Sequence, residues 1–261
     1  MTKTIAVTNQ KGGVGKTTTS VNLAASLVAT HRRVLLIDMD PQGNATMGSG
    51  VDKRQLERST YDVLLGDSPV GEALVKETGG GYHLLPSNAD LTAAEVDLLE
   101  VQGRETRLRT ALEGAGSEYD YIIIDCPPAL NMLTVNALAA ASTVMIPMQC
   151  EYYALEGLTA LLDTIRRIQE RVNPGLEVEG LLRTMFDPRN RLASDVSQQL
   201  TEHFGGKVYR TVIPRNVRLA EAPSYGLPVL TYDKGSRGAQ SYLALAGEML
   251  RNEGNAEKQP A

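Results

Sequence analysis

Apolar residues are grouped along the chain in short runs, and most of these runs lead into a stretch with helical spacing. An uninterrupted apolar run of about four to eight residues is typical of a strand that is buried on both faces. Such runs predict strands within residues 4–7, 33–38, 83–86, 119–125, 143–147, 176–185 and 208–213.

Between these runs, apolar side chains return at helical spacing, which predicts helices that pack on a sheet. The clearest examples are residues 21–28, the stripe from Leu155 to Ile168, and residues 193–204. Strands that alternate with helices favour an α/β fold with a doubly wound, mostly parallel sheet and helices on both faces. We expect a single domain over residues 1–251 and a flexible tail over residues 252–261, which is too polar to form an amphipathic membrane helix.

The first predicted strand and helix are joined by a loop that reads Thr-Asn-Gln-Lys-Gly-Gly-Val-Gly-Lys-Thr-Thr-Thr-Ser at residues 8–20. Its glycines allow backbone N–H groups to turn inward around a phosphate, at the positive end of the helix. Lys16 would neutralise the outer phosphates, and the Thr17 hydroxyl would hold Mg²⁺. The alternative is an ordinary turn with solvated lysines, but the flanking strand and helix favour the phosphate loop. The predicted ATP-binding residues here are Gly12, Gly13, Val14, Gly15, Lys16, Thr17 and Thr18.

Aspartates stand where two of the predicted strands end, which is where ligands bind in an open α/β sheet. Asp40 comes just after the run at residues 33–38, placed to orient an attacking water or a metal-bound water. The alternative for Asp40 is turn or capping chemistry, since Asp, Pro, Gly and Asn crowd residues 38–44. Asp125 closes the run at residues 119–125, and beside a phosphate loop we expect it to face Mg²⁺ directly or through water.

Composition narrows the possible partners of this 261-residue chain. The net charge of −5 gives no global attraction to nucleic acid, so DNA binding would need a local basic face. Cys126 and Cys150 lack metal-ligand spacing and are expected to be reduced core residues. No run approaches the ~20 apolar residues of a membrane span, and the N-terminus leads straight into a strand. We therefore expect a cytoplasmic protein.

One segment departs from the overall negative charge. Residues 183–237 contain nine lysines and arginines against five aspartates and glutamates, a local balance of +4. Arginine pairs well with phosphate, and the scarcity of aromatic residues suits contact with a nucleic-acid backbone better than base stacking. The charge count alone leaves an ordinary mixed surface as an equal alternative.

Four motifs together resemble one family. Lys-Gly-Gly-Val-Gly-Lys-Thr-Thr at residues 11–18 is the deviant Walker A form, with Gln10 where the standard loop has glycine. Asp-Met-Asp-Pro-Gln-Gly-Asn at residues 38–44 and Asp-Cys-Pro-Pro at residues 125–128 look like the two switch regions of that family. Gln-Cys-Glu-Tyr-Tyr-Ala-Leu-Glu-Gly at residues 149–157 is similar to the ParA/Soj branch of the ParA/MinD-type ATPases.

The resemblance implies roles that residue patterns alone do not give. Lys11 would reach across a dimer interface to the partner's nucleotide, and Asp40 would act in ATP hydrolysis together with Lys11 and Lys16. The turn at residues 214–217 would lie against the adenine, with Pro214 and Asn216 in contact with ATP. Arg189 and Arg218 would bind DNA without reading its sequence.

The function that the resemblance implies is DNA partitioning driven by a Mg²⁺-dependent ATP hydrolase with a P-loop NTPase fold. An ATP-bound homodimer would bind double-stranded DNA non-specifically and associate with the nucleoid. Hydrolysis, stimulated by a ParB/Spo0J-type centromere-binding protein, would release it. Two alternatives remain: a MinD-like positioning ATPase, which the polar tail disfavours, and a small-molecule P-loop enzyme such as a kinase or an amide-forming ligase.

Overall fold

The computed structural model describes residues 2–256, and within that range it contains one six-stranded sheet. The strands are β1 (Lys3–Val7), β2 (Val34–Asp38), β3 (His83–Leu85), β4 (Tyr121–Asp125), β5 (Thr143–Met148) and β6 (Glu177–Arg183). They lie in the order β3-β2-β4-β1-β5-β6, and every neighbouring pair is parallel. The carboxyl ends of all six strands therefore meet at one edge of the sheet.

Helices connect the strands and cover the sheet, with several short 3-10 turns between them. In chain order they are α1 (Lys16–Ala29), α2 (Asn44–Gly48), α3 (Thr60–Leu65), α4 (Val70–Ala73), α5 (Ala94–Asp97), α6 (Arg107–Leu112), α7 (Met132–Ala140), α8 (Ala154–Arg171), α9 (Arg191–Phe204), α10 (Val217–Glu221), α11 (Val229–Tyr232) and α12 (Arg237–Ala256).

The core forms two layers, one on each face of the sheet, because successive side chains of a strand point to opposite faces. Ile5 and Val7 of β1 pack with α1, α2 and α10–α12 on one face. Ala6, between them, belongs to the other layer, which α3–α9 cover. Both faces are buried, as uninterrupted apolar strands require. The predicted doubly wound, parallel α/β fold with helices on both faces is confirmed.

The strand predicted at residues 208–213 is wrong. Two isolated parallel bridges link this segment and its neighbour Pro214 to the β6 side, without a continuous ladder. Between the two bridges, side chains form hydrogen bonds with the backbone groups that a neighbouring strand would otherwise bind. The guanidinium of Arg183 donates to the Arg210 carbonyl at 3.2 Å, and the Glu248 carboxylate accepts from the N–H groups of Arg210 and Thr211 at 2.7 and 2.9 Å.

The last helix extends past the position where we expected the domain to end. Helix α12 continues to Ala256, five residues beyond position 251, where we expected the domain to end. Glu253 anchors this last turn, since its carboxylate accepts from Lys3 Nζ at 2.8 Å and from the Tyr121 hydroxyl. The rest of the predicted tail, residues 257–261, lies outside the described residues.

Candidate functional site

The glycine-rich loop leaves the carboxyl end of β1 and leads directly into α1. Gly13 and Gly15 have φ values of 73° and 88°, in the left-handed region that favours glycine. Gly15 is the N-cap of α1, and no side chain caps the helix. The free N–H groups of the first turn and the helix dipole therefore make this terminus suited to an anion.

Two residues far along the chain hold the loop in this shape. The Thr184 hydroxyl donates to the Val14 carbonyl at 2.7 Å, and the Gln149 amide donates to the Gly13 carbonyl at 3.2 Å. Thr184 directly follows β6 and Gln149 directly follows β5, so the carboxyl ends of these two strands fix the loop.

A cavity of about 610 Å³ opens beside the loop. Its walls are formed by Gly12, Gly13, Gly15, Lys16, Thr17, Thr18, Asp40, Pro41, Gln42, Asn44, Thr92, Glu95, Pro127, Pro128, Ala129, Asn131 and Met185. The structure thus brings the predicted phosphate loop and Asp40 to one space. Lys16 is buried in its wall, and its ammonium donates to the Lys11 carbonyl at 3.2 Å. Burial lowers the pKa of Lys16, against the opposing attraction of Asp125 and Asp40.

Asp125 lies behind the loop, at the end of β4. Its carboxylate accepts from the Thr17 hydroxyl at 2.7 Å and from the Ser20 hydroxyl at 2.8 Å. Asp38 is its register partner on β2, and both carboxyls are fully buried. Burial, together with the neighbouring Asp38 carboxylate, raises the pKa of Asp125, and burial also raises the pKa of Asp38.

These oxygen groups fit Mg²⁺. Among residues 2–256 no group of three or more His, Cys, Asp or Glu side chains is arranged to hold a metal by itself. Magnesium is commonly held by one or two protein oxygens, with substrate phosphates and water completing its shell. Thr17 with Asp125 behind it is such a partial site, and a cation there would offset the repulsion between two buried carboxylates.

Asp40 is held in place by its own turn and by residues around it. Its carboxylate oxygen Oδ1 accepts from the Gln42 N–H at 2.9 Å. Its backbone N–H donates to Asp38 at 3.1 Å, and its carbonyl accepts from the Ser87 hydroxyl at 2.8 Å. Its other carboxylate oxygen, Oδ2, makes none of these bonds, and Asp40 lies on the cavity wall.

The Lys11 side chain is paired with a residue of its own chain. Its ammonium forms an ion pair with the Glu151 carboxylate, just before α8, and both side chains are 49% exposed. The backbone N–H of Lys11 donates to Asn9 Oδ1 at 3.0 Å. Lys11 is therefore at the rim of the loop, with its side chain held at the surface.

A second cavity, of about 400 Å³, lies on the other side of Gly15. Pro214 and Asn216 line it, and Gly15, Thr18 and Met185 belong to the walls of both cavities. The Asn216 side-chain oxygen is buried and has no hydrogen-bond partner among the described residues. A buried, unpaired acceptor is costly, and this one packs against α12, 3.2 Å from where a Cβ on Gly238 would stand.

The two predicted DNA-contacting arginines lie on the surface, and neither of them lines either cavity. Arg189 is 88% exposed at its side chain and donates to Asp187 through two nitrogens, at 2.9 and 2.8 Å. Arg218 is 50% exposed and pairs with Glu221 at 2.7 Å and Asp233 at 3.2 Å. Each arginine therefore has a carboxylate partner within the chain.

Several residues that build the site have no local signal in the sequence. Ser87, Thr184 and Glu151 make contacts with residues far away along the chain. Ser87 comes two residues after β3, and Thr184 directly follows β6. Their position near a strand end is the signal that could have indicated them. Glu151 belongs to the motif at residues 149–157, which marks the segment but does not indicate its contact with Lys11.

A glycine-rich loop between a central strand and a helix, with Lys16 and Thr17 at the start of the helix and Asp125 on the neighbouring strand, defines a P-loop NTPase. A protein-family model described as an AAA domain matches residues 2–178. The chain is 53% identical over 252 residues to the sporulation initiation inhibitor protein Soj of Bacillus subtilis, covering 97% of this chain and 100% of that protein. It is 50% identical over 261 residues to the chromosome partitioning protein ParA of Caulobacter vibrioides, covering 99% and 98%. The chain belongs to the ParA/Soj family of chromosome-partitioning ATPases.

A similar solved structure bears a different name. It is described as cobyrinic acid a,c-diamide synthase from Mycobacterium smegmatis, with bound ADP and magnesium. Its TM-score is 0.87 and its sequence identity 40%, with 100% of this chain and 99% of that chain covered. None of the helices described in residues 2–256 combines the length and the apolar character that crossing a membrane requires.

Proposed function

We propose that this protein is a Mg²⁺-dependent ATP hydrolase that partitions DNA. The observation that carries the proposal is the convergence of three elements on one cavity: the phosphate loop with Lys16, the Thr17–Asp125 pair and the Asp40 turn. The family to which the chain belongs and the ADP and magnesium bound to the Mycobacterium smegmatis protein support ATP with Mg²⁺ as the ligands.

ATP occupies both cavities in this proposal. Its triphosphate accepts from the backbone N–H groups of residues 12–18, and Lys16 neutralises the outer phosphates. Its adenine lies in the second cavity, against Pro214 and Asn216. Thr17 and Asp125 would hold Mg²⁺, which would neutralise phosphate charge.

The residues around the outer phosphate carry out hydrolysis. The free oxygen of the Asp40 carboxylate orients a water molecule toward the γ-phosphorus. A bond forms from the water oxygen to phosphorus, and the bond to the ADP oxygen breaks, giving ADP and inorganic phosphate. Lys16 stabilises the charge that develops on the transferred group.

ATP binding also controls association of two copies of the chain. Lys11 exchanges its ion pair with Glu151 for the triphosphate of the partner, so that two chains close around two nucleotides. The homodimer then carries Arg189 and Arg218 twice, which doubles the phosphate contacts available to non-specific double-stranded DNA. Hydrolysis, accelerated by a ParB-type centromere-binding protein, removes the bridging γ-phosphate and opens the dimer. The protein would work in the cytoplasm, on the nucleoid while ATP is bound.

A second candidate function is ATP-dependent amide formation on a carboxylic acid. The name of the 40% identical Mycobacterium smegmatis protein favours it, and so does the room beyond the loop along Thr92, Glu95 and Asn131. The two functions differ in what stimulates phosphate release. Double-stranded DNA with a ParB-type protein would do so for a partitioning ATPase, and cobyrinic acid with an ammonia donor would do so for the synthase.

The test is DNA binding compared across ATP, ADP and no nucleotide. We expect the wild-type chain to bind unrelated DNA sequences with ATP only, and the Lys16→Ala variant to bind in no condition because it lacks the triphosphate contact. The Lys11→Ala variant should bind ATP and remain monomeric. The proposal would be contradicted if DNA binding were the same with ATP, with ADP and without nucleotide. It would also be contradicted if the chain stayed monomeric with ATP bound and hydrolysis blocked.

A further inference from the structure

The turn that carries Asp40 is held by three side chains, two of which lie outside its motif. Asp38 accepts from the Asp40 N–H at 3.1 Å, and the Ser87 hydroxyl donates to the Asp40 carbonyl at 2.8 Å. The third is the ammonium of Lys53, which donates to the Gln42 carbonyl. Asp38 and Ser87 are fully buried, whereas Lys53 lies half-buried on the short 3-10 turn Lys53–Gln55.

The aliphatic part of the Lys53 side chain also lies close to the backbone of the turn. Gly43 has a φ of 60°, and a Cβ placed on it would lie 2.8 Å from Lys53 Cδ and 2.7 Å from the Ser87 carbonyl oxygen. The backbone at Gly43 is therefore enclosed between the Lys53 side chain and the chain that follows β3. This close approach requires glycine at position 43 for two reasons, its backbone angle and the space around it.

Gln42 connects this contact to the Asp40 carboxylate. Its carbonyl accepts from Lys53, and its N–H donates to Asp40 Oδ1 at 2.9 Å. Fixing one end of Gln42 therefore fixes the group that orients the carboxylate. Lys53 forms no ion pair with any carboxylate among residues 2–256, so its ammonium is committed to this carbonyl.

We propose that Lys53 is a positioning residue for ATP hydrolysis. Through Gln42 it holds the Asp40 carboxylate in the orientation that directs water to the γ-phosphate. Lys53 lines neither cavity, so its contribution is to the rate of turnover and not to nucleotide affinity. The inference rests on the proposed function, because it requires Asp40 to act in hydrolysis.

The test compares three variants in steady-state phosphate release and in ATP binding. Lys53→Met keeps the stem over Gly43 and removes only the donor, so we expect kcat to fall about tenfold with KM and the Kd for ATP within about twofold. Lys53→Arg should restore most of kcat because it supplies a charged donor again. Arg54→Met is the matched control, since Arg54 is exposed and donates to Asp52 instead, and it should retain wild-type kcat.

A double-mutant cycle separates positioning from a general loss of structure. In an Asp40→Ala background, Lys53→Met should cause no further loss of turnover, because the group that it positions is gone. An additive loss there, an unchanged kcat in Lys53→Met, or a loss that Lys53→Arg does not recover would overturn the inference. Absence of ATP turnover in the wild-type chain would overturn the proposed function itself, which keeps the two failures distinguishable.

Discussion

The ammonium of Lys11 is paired with the carboxylate of Glu151 in the same chain, although the two residues are 140 positions apart. Both side chains are half exposed, so the pair is screened by solvent and contributes at most about 1 kcal/mol. A contact of this strength holds Lys11 in the monomer and is easily exchanged. If Lys11 serves a partner's triphosphate, Glu151 competes with that partner for it.

The first prediction is that Glu151→Gln favours the dimer. This substitution removes the carboxylate that pairs with Lys11, so association no longer requires that ion pair to break. The ATP-bound dimer should therefore form at an about two- to fivefold lower protein concentration. Analytical ultracentrifugation in an Asp40→Ala background, where turnover is slow, measures this. Glu156→Gln removes an equal charge from the exposed side of α8 and should leave dimerisation unchanged. Weaker dimerisation in Glu151→Gln would show that Glu151 supports the interface.

The second prediction concerns the buried pair Asp38 and Asp125. The folded state raises the pKa of both carboxyls, so it binds protons more tightly than the unfolded chain, whose aspartates titrate near their ordinary value of about 4. The free energy of unfolding should therefore fall as pH rises from about 4 through the raised pKa values. In EDTA, without nucleotide, the Tm should be lower at about pH 9 than at about pH 6.

Asp125→Asn removes one of the two charges and should raise the Tm at high pH and flatten this dependence. Asp67→Asn, at an exposed position, is the control and should keep the wild-type profile. Scanning calorimetry at several pH values measures both. If Asp125→Asn keeps the full pH dependence, its origin lies elsewhere in the chain.

The sequence was sufficient to predict the class of fold because its signals are local. An uninterrupted apolar run such as residues 121–124 indicates burial on both faces, and the glycine-rich loop between strand and helix indicates its own geometry. Strand order is not local. Only the packed sheet sets β4 between β1 and β2, and this makes Asp38 and Asp125 neighbours.

At residues 208–213 the local sequence signal led to a wrong prediction of a strand. Its composition suits a strand, but the Glu248 carboxylate binds two consecutive N–H groups and Arg183 binds neighbouring carbonyls. Such tertiary contacts override strand propensity, which is weak and depends on context. For the same reason the contacts of Ser87 and Lys53 with the Asp40 turn could be found only in the structure.

The third prediction is that Asn216 contributes to binding through the base of the nucleotide. Replacing Asn216 with Leu removes the only polar group that its side chain offers to the second cavity, so the Kd for ATP should rise about tenfold. Inorganic tripolyphosphate, which has no base, should bind the variant as it binds the wild type. The Tm of the nucleotide-free protein should stay equal or rise, because a buried oxygen without a partner is removed. Isothermal titration calorimetry with both ligands checks this, and an equal loss for both would place the effect on the phosphate loop.

The last prediction uses the carboxylates that hold the two surface arginines. Arg189→Ala and Arg218→Ala should each weaken DNA binding for all sequences. Each should also lower the slope of log K against log salt by about 0.9 for every DNA phosphate that the variant no longer neutralises. Asp187→Asn should strengthen DNA binding, because it frees the Arg189 guanidinium from its carboxylate partner. That guanidinium lowers the pKa of Asp187 to about 2, so the carboxylate is charged at neutral pH. Fluorescence anisotropy with unrelated duplexes at several salt concentrations measures both effects, with ATP hydrolysis followed in parallel.

Asp163→Asn is the matched control for the gain of affinity. Asp163 also pairs with an exposed arginine, Arg166 of α8, but outside residues 183–237. Both substitutions change the net charge equally, so a general electrostatic effect would raise DNA affinity in both variants. A rise in Asp187→Asn alone assigns the effect to Arg189. Equal rises, or unchanged binding in Arg189→Ala and Arg218→Ala, would remove these arginines from the DNA surface while leaving the ATPase site intact.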